Sequence, residues 1–165
     1  MGTVLIFQQR PNPTLQRSFA IVRPLSFALD FTKTRFMAQI KIYGLKSSLA
    51  EKSSSLSSAI HSAVVEALAY PPDKKFHRFI GLDKSDFLFP SDRSENYTII
   101  EISMFEGRSI EAKKALIRLL FANIAREAEI DPHNIEITII ETPKQNWGIR
   151  GMCGDELALG YKVNV

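Results

Sequence analysis

The sequence predicts an α/β domain made of two β-α-β units, with one four-stranded sheet carrying both helices on one face. Three observations lead there: an alternating strand run that gives way to a helical period, the same order repeated about 60 residues later, and a proline breaker after each helix. From Gln39 to Tyr43, polar and apolar residues alternate, with Ile40 and Ile42 on one side. After Lys46-Ser47-Ser48 the period changes, and Leu49, Leu56, Ile60, Ala63, Val64, Ala67 and Leu68 fall mainly on one helical stripe. Ser47 or Ser48 is the expected N-cap, Pro71-Pro72 the expected stop, and Phe76 to Leu82 the second strand.

The second unit opens with the β-rich run Tyr97 to Ser103 and turns at Glu106-Gly107. An amphipathic helix from about Ser109 to Glu129 is expected to bury Ala112, Leu116, Leu119, Leu120 and Ile124. Asp131-Pro132 stops it, and Ile135 to Glu141 alternates again. Both helix starts share a basic-serine pair, Lys46-Ser47 and Arg108-Ser109. Helical crossovers make each strand pair parallel, so both helical stripes can be buried on one sheet. The other sheet face then calls for a partner, which predicts an oligomer. Between the units, Asp83 to Asn96 reads as a linker. Its run Phe87-Leu88-Phe89-Pro90 suits a local staple better than a subunit contact.

Charge narrows the function classes. The net charge is +3, yet five basic residues and one acid lie in residues 1–36, which leaves 16 basic against 17 acidic residues in 37–165. A near-neutral domain lacks the clustered cations that bind a phosphate backbone, so no nucleic-acid partner is expected. No apolar run approaches the ~20 residues of a membrane span, so no membrane partner is expected either. Cys153 is the single cysteine. It allows no intrachain disulfide and no multi-cysteine zinc site, and it suits a reducing, cytoplasmic setting. His61, His77 and His133 are dispersed along the chain, which argues against a metal site; no cofactor is expected.

Residues 1–36 read differently from 37–165. They are rich in Arg, Phe and Pro and show no sustained period, so the domain is placed at 37–165. An upstream stretch from a misassigned start is the leading reading, because Met37-Ala38 stands directly before the first strand. An organelle transit peptide or a disordered arm are the alternatives, the first implying an organelle instead of the cytoplasm.

The ordered set Glu106-Gly107-Arg108-Ser109, Ile135 to Glu141 and Trp147-Gly148-Ile149 resembles the tautomerase superfamily. Ala67-Leu68-Ala69-Tyr70-Pro71 and Glu127 to Pro132 resemble its fused, decarboxylase-like members, so that the likeness runs over roughly residues 38–155. The resemblance implies a homotrimer or hexamer acting on a small oxo acid through an N-terminal proline, with arginines holding the carboxylate. A terminal secondary amine titrates below a lysine and can shuttle a proton between carbon and oxygen near neutral pH.

Carried onto this chain, the resemblance places Ala38 at the catalytic position when aligned from the helix and Pro71, and Phe36 when aligned from Lys46-Ser47. Neither register supplies the proline; a chain starting at Ala38 would offer a primary amine instead. Arg108 matches a family arginine and would fork onto a carboxylate beside a helix N-terminus. Glu136 and Glu106 stand where further arginines are expected, and Lys74 stands where the decarboxylases carry an acid. Trp147 matches the aromatic that closes the pocket, and Arg78 is a second candidate cation between apolar neighbours. The expected site is therefore Ala38 and Arg108 as catalytic residues, with Arg78, Lys74 and Trp147 binding substrate. The expected activity is keto-enol tautomerisation of a small oxo acid by a homotrimer; a non-catalytic trimeric scaffold or anion binder is the alternative.

Overall fold

The computed structural model describes residues 38–156; the expectations for residues 1–36 and for Met37 lie outside them. Strand β1 (Ala38–Leu45) leads into helix α1 (Lys46–Leu68) and strand β2 (His77–Leu82), and β3 (Thr98–Phe105) leads into α2 (Ile110–Glu127) and β4 (Ile135–Thr142). A short hairpin, β5 (Gly148–Ile149) with β6 (Met152–Cys153), follows.

The four long strands form one sheet in the order β2-β1-β3-β4, with β1 parallel to β2, β3 parallel to β4, and the central pair β1/β3 antiparallel. The repeat seen in the sequence is thus a two-fold arrangement about the central pair. One consequence decides where the chemistry lies: the start of β1 is adjacent to the ends of β3 and β4.

Strands β1 and β3 share the same burial alternation, with Ile40, Ile42, Ile100 and Ile102 fully inside. That face meets α1 through Leu49, Leu56, Ile60 and Val64 and α2 through Leu116, Leu120 and Ile124. Each such Leu or Ile contributes roughly 2–3 kcal/mol by leaving water. Ala112 and Leu119 pack at the margin and are only partly buried. Polar ties fix the two helices to each other: Asn123 Nδ2 donates to Ser62 Oγ at 3.0 Å and Lys52 Nζ to the Ala128 carbonyl at 2.8 Å.

The expected N-cap of α1 is corrected. The strand runs straight into the helix, Leu45 takes the cap position without a side-chain hydrogen bond, and Ser47 and Ser48 already lie in the first turn. Ser48 is instead turned to Asn96, 3.0 Å away. The second unit follows expectation, Ser109 accepting from the Ala112 N–H. Helix α2 ends at Glu127, before Asp131-Pro132, which open a short 3-10 turn. The linker aromatics form a staple: Phe87, Phe89 and Tyr97 lie ring to ring at 5.3–5.5 Å, and Leu45 packs with them.

Two histidines distant in sequence do meet. His77, on the helix side of β2, shares a hydrogen bond of 3.0 Å between its Nδ1 and Ser57 Oγ, with the His61 ring 6.2 Å away. Burial, with His61 and Lys75 adding to it, lowers the His77 pKa to about 4. An unfolded histidine protonates near 6.5, so between those values the unfolded chain binds the extra proton. This contribution to stability is complete above about pH 6.5 and is lost as pH falls towards 4. Because the ring is partly solvated, about 2 kcal/mol is expected in place of the full linkage value. Urea unfolding at pH 7 and pH 4.5 should show His77→Gln losing less stability on acidification than wild type. Equal losses would remove His77 as the cause.

Candidate functional site

The end of β3 and the start of α2 build the centre of the site. Gly107 takes φ of 113°, which favours glycine, and so reverses the chain between Phe105 and the helix. Ser109 then caps α2, and Arg108 is held at the helix mouth. Its guanidinium turns back on the turn itself, NH1 donating to the Phe105 carbonyl at 3.0 Å, and only 5% of the residue is exposed. A buried cation beside the positive end of a helix favours an anionic ligand. The Glu141 carboxylate supplies part of that charge, accepting from the Arg108 backbone N–H at 3.3 Å and pairing with Lys113 at 2.6 Å.

Ala38 joins this cluster through the sheet. It pairs with Met104, and Met104 with Glu141, so the three residues form one row across β1, β3 and β4. In the same buried cluster as Ala38 and Met104 lies Tyr70, a residue that sequence reasoning assigned only to the end of α1. It is 4% exposed and lies within the electrostatic reach of the Ala38 backbone and the Arg108 charge. Burial raises the Tyr70 pKa, while the amide and the guanidinium pull it down. The aromatic beside a helix-ending proline was the available signal, but only the packed fold shows where its hydroxyl goes.

Trp147 enters from the segment after β4. Its ring packs edge-on against Phe105 with centroids 5.1 Å apart, and its Nε1 donates to Thr142 Oγ1 at 2.6 Å. Phe105 is therefore the shared support: its ring holds Trp147 and its carbonyl holds Arg108. Ala38, Arg108 and Trp147 thus lie at the same end of the sheet.

The other two expected residues sit apart from that cluster. Arg78 pairs in register with Lys41, whose parity turns it away from the helices, and its NH1 donates to Gln39 at 3.1 Å. Lys74 lies in the loop before β2, at the same sheet end as Ala38, but is half exposed and paired with Asp73. Glu136 stands at the opposite end, against the Tyr97 hydroxyl, where burial and that carboxylate push the Tyr97 pKa up to about 12.

A hollow of about 270 Å³ also lies at that opposite end, between Leu45, Lys46, Leu82, Asp83 and Lys84. Its lysines are already paired, Lys46 with Asp83 and Lys84 with Glu95. Among the described residues no group of three or more His, Cys, Asp or Glu could hold a metal, and no helix is long and apolar enough to cross a membrane.

A two-helix, four-stranded sheet with a helix-mouth arginine beside the opening strand defines a class, and the comparisons name it: the chain belongs to the tautomerase superfamily. Residues 74–150 match the family described as Tautomerase enzyme. The chain is 39% identical over 57 residues to 2-hydroxymuconate tautomerase of Comamonas testosteroni, spanning 34% of this chain and 90% of that protein. It is 25% identical over 97 residues to the probable tautomerase YusQ of Bacillus subtilis (strain 168), spanning 56% of this chain and 76% of that protein. Among solved structures, FG41 malonate semialdehyde decarboxylase inhibited by 3-bromopropiolate superposes with a TM-score of 0.63 at 25% identity, over 73% of this chain and 98% of that one. A fused 4-OT, an asymmetric trimer, superposes at 0.64 with 21% identity and the same coverage.

Proposed function

We propose that the protein catalyses keto-enol tautomerisation of a small oxo acid, at a modest rate, in the pocket region formed by Ala38, Arg108 and Trp147. The observation that carries this reading is that Phe105 holds the buried guanidinium through its carbonyl and the indole through its ring, next in sequence to Met104, the register partner of Ala38. The names of the relatives agree with it. Arg108 would fork onto the substrate carboxylate, and Trp147 would wall the reacting carbon from water, which strengthens that charge pair. Lys74 and Arg78 would act at most as outer cations, helping to collect the anion or to join subunits.

The domain proper would run over 37–165, and its working form would be a homotrimer in the cytoplasm. The outward sheet face, with Tyr43, Ile99 and Ile140, gives such an assembly its surface. The test is ketonisation of phenylenolpyruvate followed by ultraviolet absorbance, on the full chain and on a chain beginning at Ala38. Turnover above buffer in either form is the expected result. No acceleration in both would leave a non-catalytic anion binder and overturn the reading.

A further inference from the structure

We propose that Glu141 sets the substrate class of this site: its carboxylate, fixed at the mouth of α2, admits oxo acids with one carboxylate and disfavours those with two. This rests on the oxo-acid reading above and narrows it.

Glu141 breaks the pattern of its own strand. Along β4, Ile135, Ile137 and Ile139 face the helices, while Glu136, Thr138 and Ile140 are exposed on the other side. The same alternation turns Glu141 towards the helices. A carboxylate therefore stands where the strand otherwise places isoleucines, and its side chain is only 22% exposed. Withdrawing a charge that far from water is costly unless it is paired and hydrogen-bonded. Both conditions are met: Lys113 Nζ donates to it at 2.6 Å and the Arg108 backbone N–H at 3.3 Å. Lys113 lies in the first turn of α2, where the helix dipole disfavours a cation, and the carboxylate offsets that too.

The chain thus brings its own anion to the mouth of α2. Two donors there are already used internally, the Ala112 N–H by Ser109 and the Arg108 N–H by Glu141. A substrate carboxylate that forks onto the Arg108 guanidinium gains a close, bidentate charge pair, which outweighs the more distant repulsion from Glu141. A second carboxylate has no such fork. On a small diacid it lies within a Debye length of Glu141, about 8 Å, and in a half-buried site like charges repel far more than in bulk water. Glu106 and Glu111 flank the same turn with the same sign, but both are exposed, so solvent screens them more. Discrimination then comes from the repulsive group as much as from the attractive one.

The test compares ketonisation of phenylenolpyruvate, which has one carboxylate, with that of the enol of oxaloacetate, which has two. Full-length wild type and Glu141→Gln are measured, each rate taken relative to the uncatalysed reaction. Glutamine keeps the shape and an accepting oxygen and removes the charge. The variant should cut the preference for the monoacid in kcat/KM about 10-fold, chiefly through a lower KM for the diacid. A residue that only braces the turn would change both substrates alike. An unmoved ratio therefore overturns the role of Glu141 and leaves the oxo-acid reading intact. Should the variant not fold, wild type alone decides: raising salt from about 0.05 M to about 0.5 M should screen the repulsion and narrow the preference. A preference that salt does not narrow overturns the proposal in the same way. Absence of turnover of both enols by wild type overturns both readings.

Discussion

Arg108→Ala is expected to lower kcat/KM for a 2-oxo acid enol by about 100- to 1000-fold, the equivalent of roughly 3–4 kcal/mol of lost transition-state interaction. The guanidinium is the buried cation of the site, and its plane is fixed by NH1 on the Phe105 carbonyl. A fork held in place makes two parallel charge-assisted bonds to a carboxylate without first losing rotamer freedom. Alanine removes both bonds and leaves the Phe105 carbonyl without that donor. Arg108→Lys restores the charge but not the fork, so it should recover only part of the loss. The measurement is steady-state ketonisation of phenylenolpyruvate beside a urea melt. If Arg108→Ala turns over like wild type while folded, the carboxylate is held elsewhere and the proposed site is wrong.

The second large effect concerns stability. Phe105→Ala should cost about 3–5 kcal/mol, the usual range for truncating a fully buried phenylalanine. Its side chain is 0% exposed and packs edge-on with Trp147. A domain of this size has only about 5–15 kcal/mol in hand, so this is roughly a fifth or more of its stability. The chain's one tryptophan reports the loss directly: Trp147 emission should shift to the red as the ring loses its apolar neighbour. Retention of the wild-type urea midpoint and emission would show that the two rings do not share a packed cluster. Because the Phe105 ring also supports Trp147 at the proposed site, activity should fall with the packing, whereas Arg108→Ala should affect activity far more than the melt.

The contrast between Arg108 and Arg78 shows what could be read from the chain alone. Arg108 follows a turn glycine and precedes a capping serine, so local chemistry already places it at a helix mouth. Arg78 lies within a strand, where side chains alternate between faces, and which face it takes depends on pairing with Lys41. Only the sheet register decides that. The cap of α1 follows the same lesson: Ser47 and Ser48 are good capping residues, but the direct passage from β1 into the helix leaves them two and three residues past the cap position, inside the first turn. Tyr70 escaped notice because nothing in Tyr-Pro-Pro says that the ring folds back onto the first residue of β1.

By itself the sequence determined the two β-α-β units, the stripes that the helices bury, the turn that carries Arg108 and the kinship with tautomerases. Periodicity, breakers and caps act over a few residues, and those short-range terms are written in the order of the side chains. The tertiary structure alone decided that β1 starts where β3 and β4 end, and hence that Ala38 lies in one row with Met104 and Glu141, at the sheet end where Phe105 holds Arg108 and Trp147. That arrangement depends on the antiparallel pairing of two strands some 60 residues apart, a contact set by burying both helices on one face and carried by no local signal.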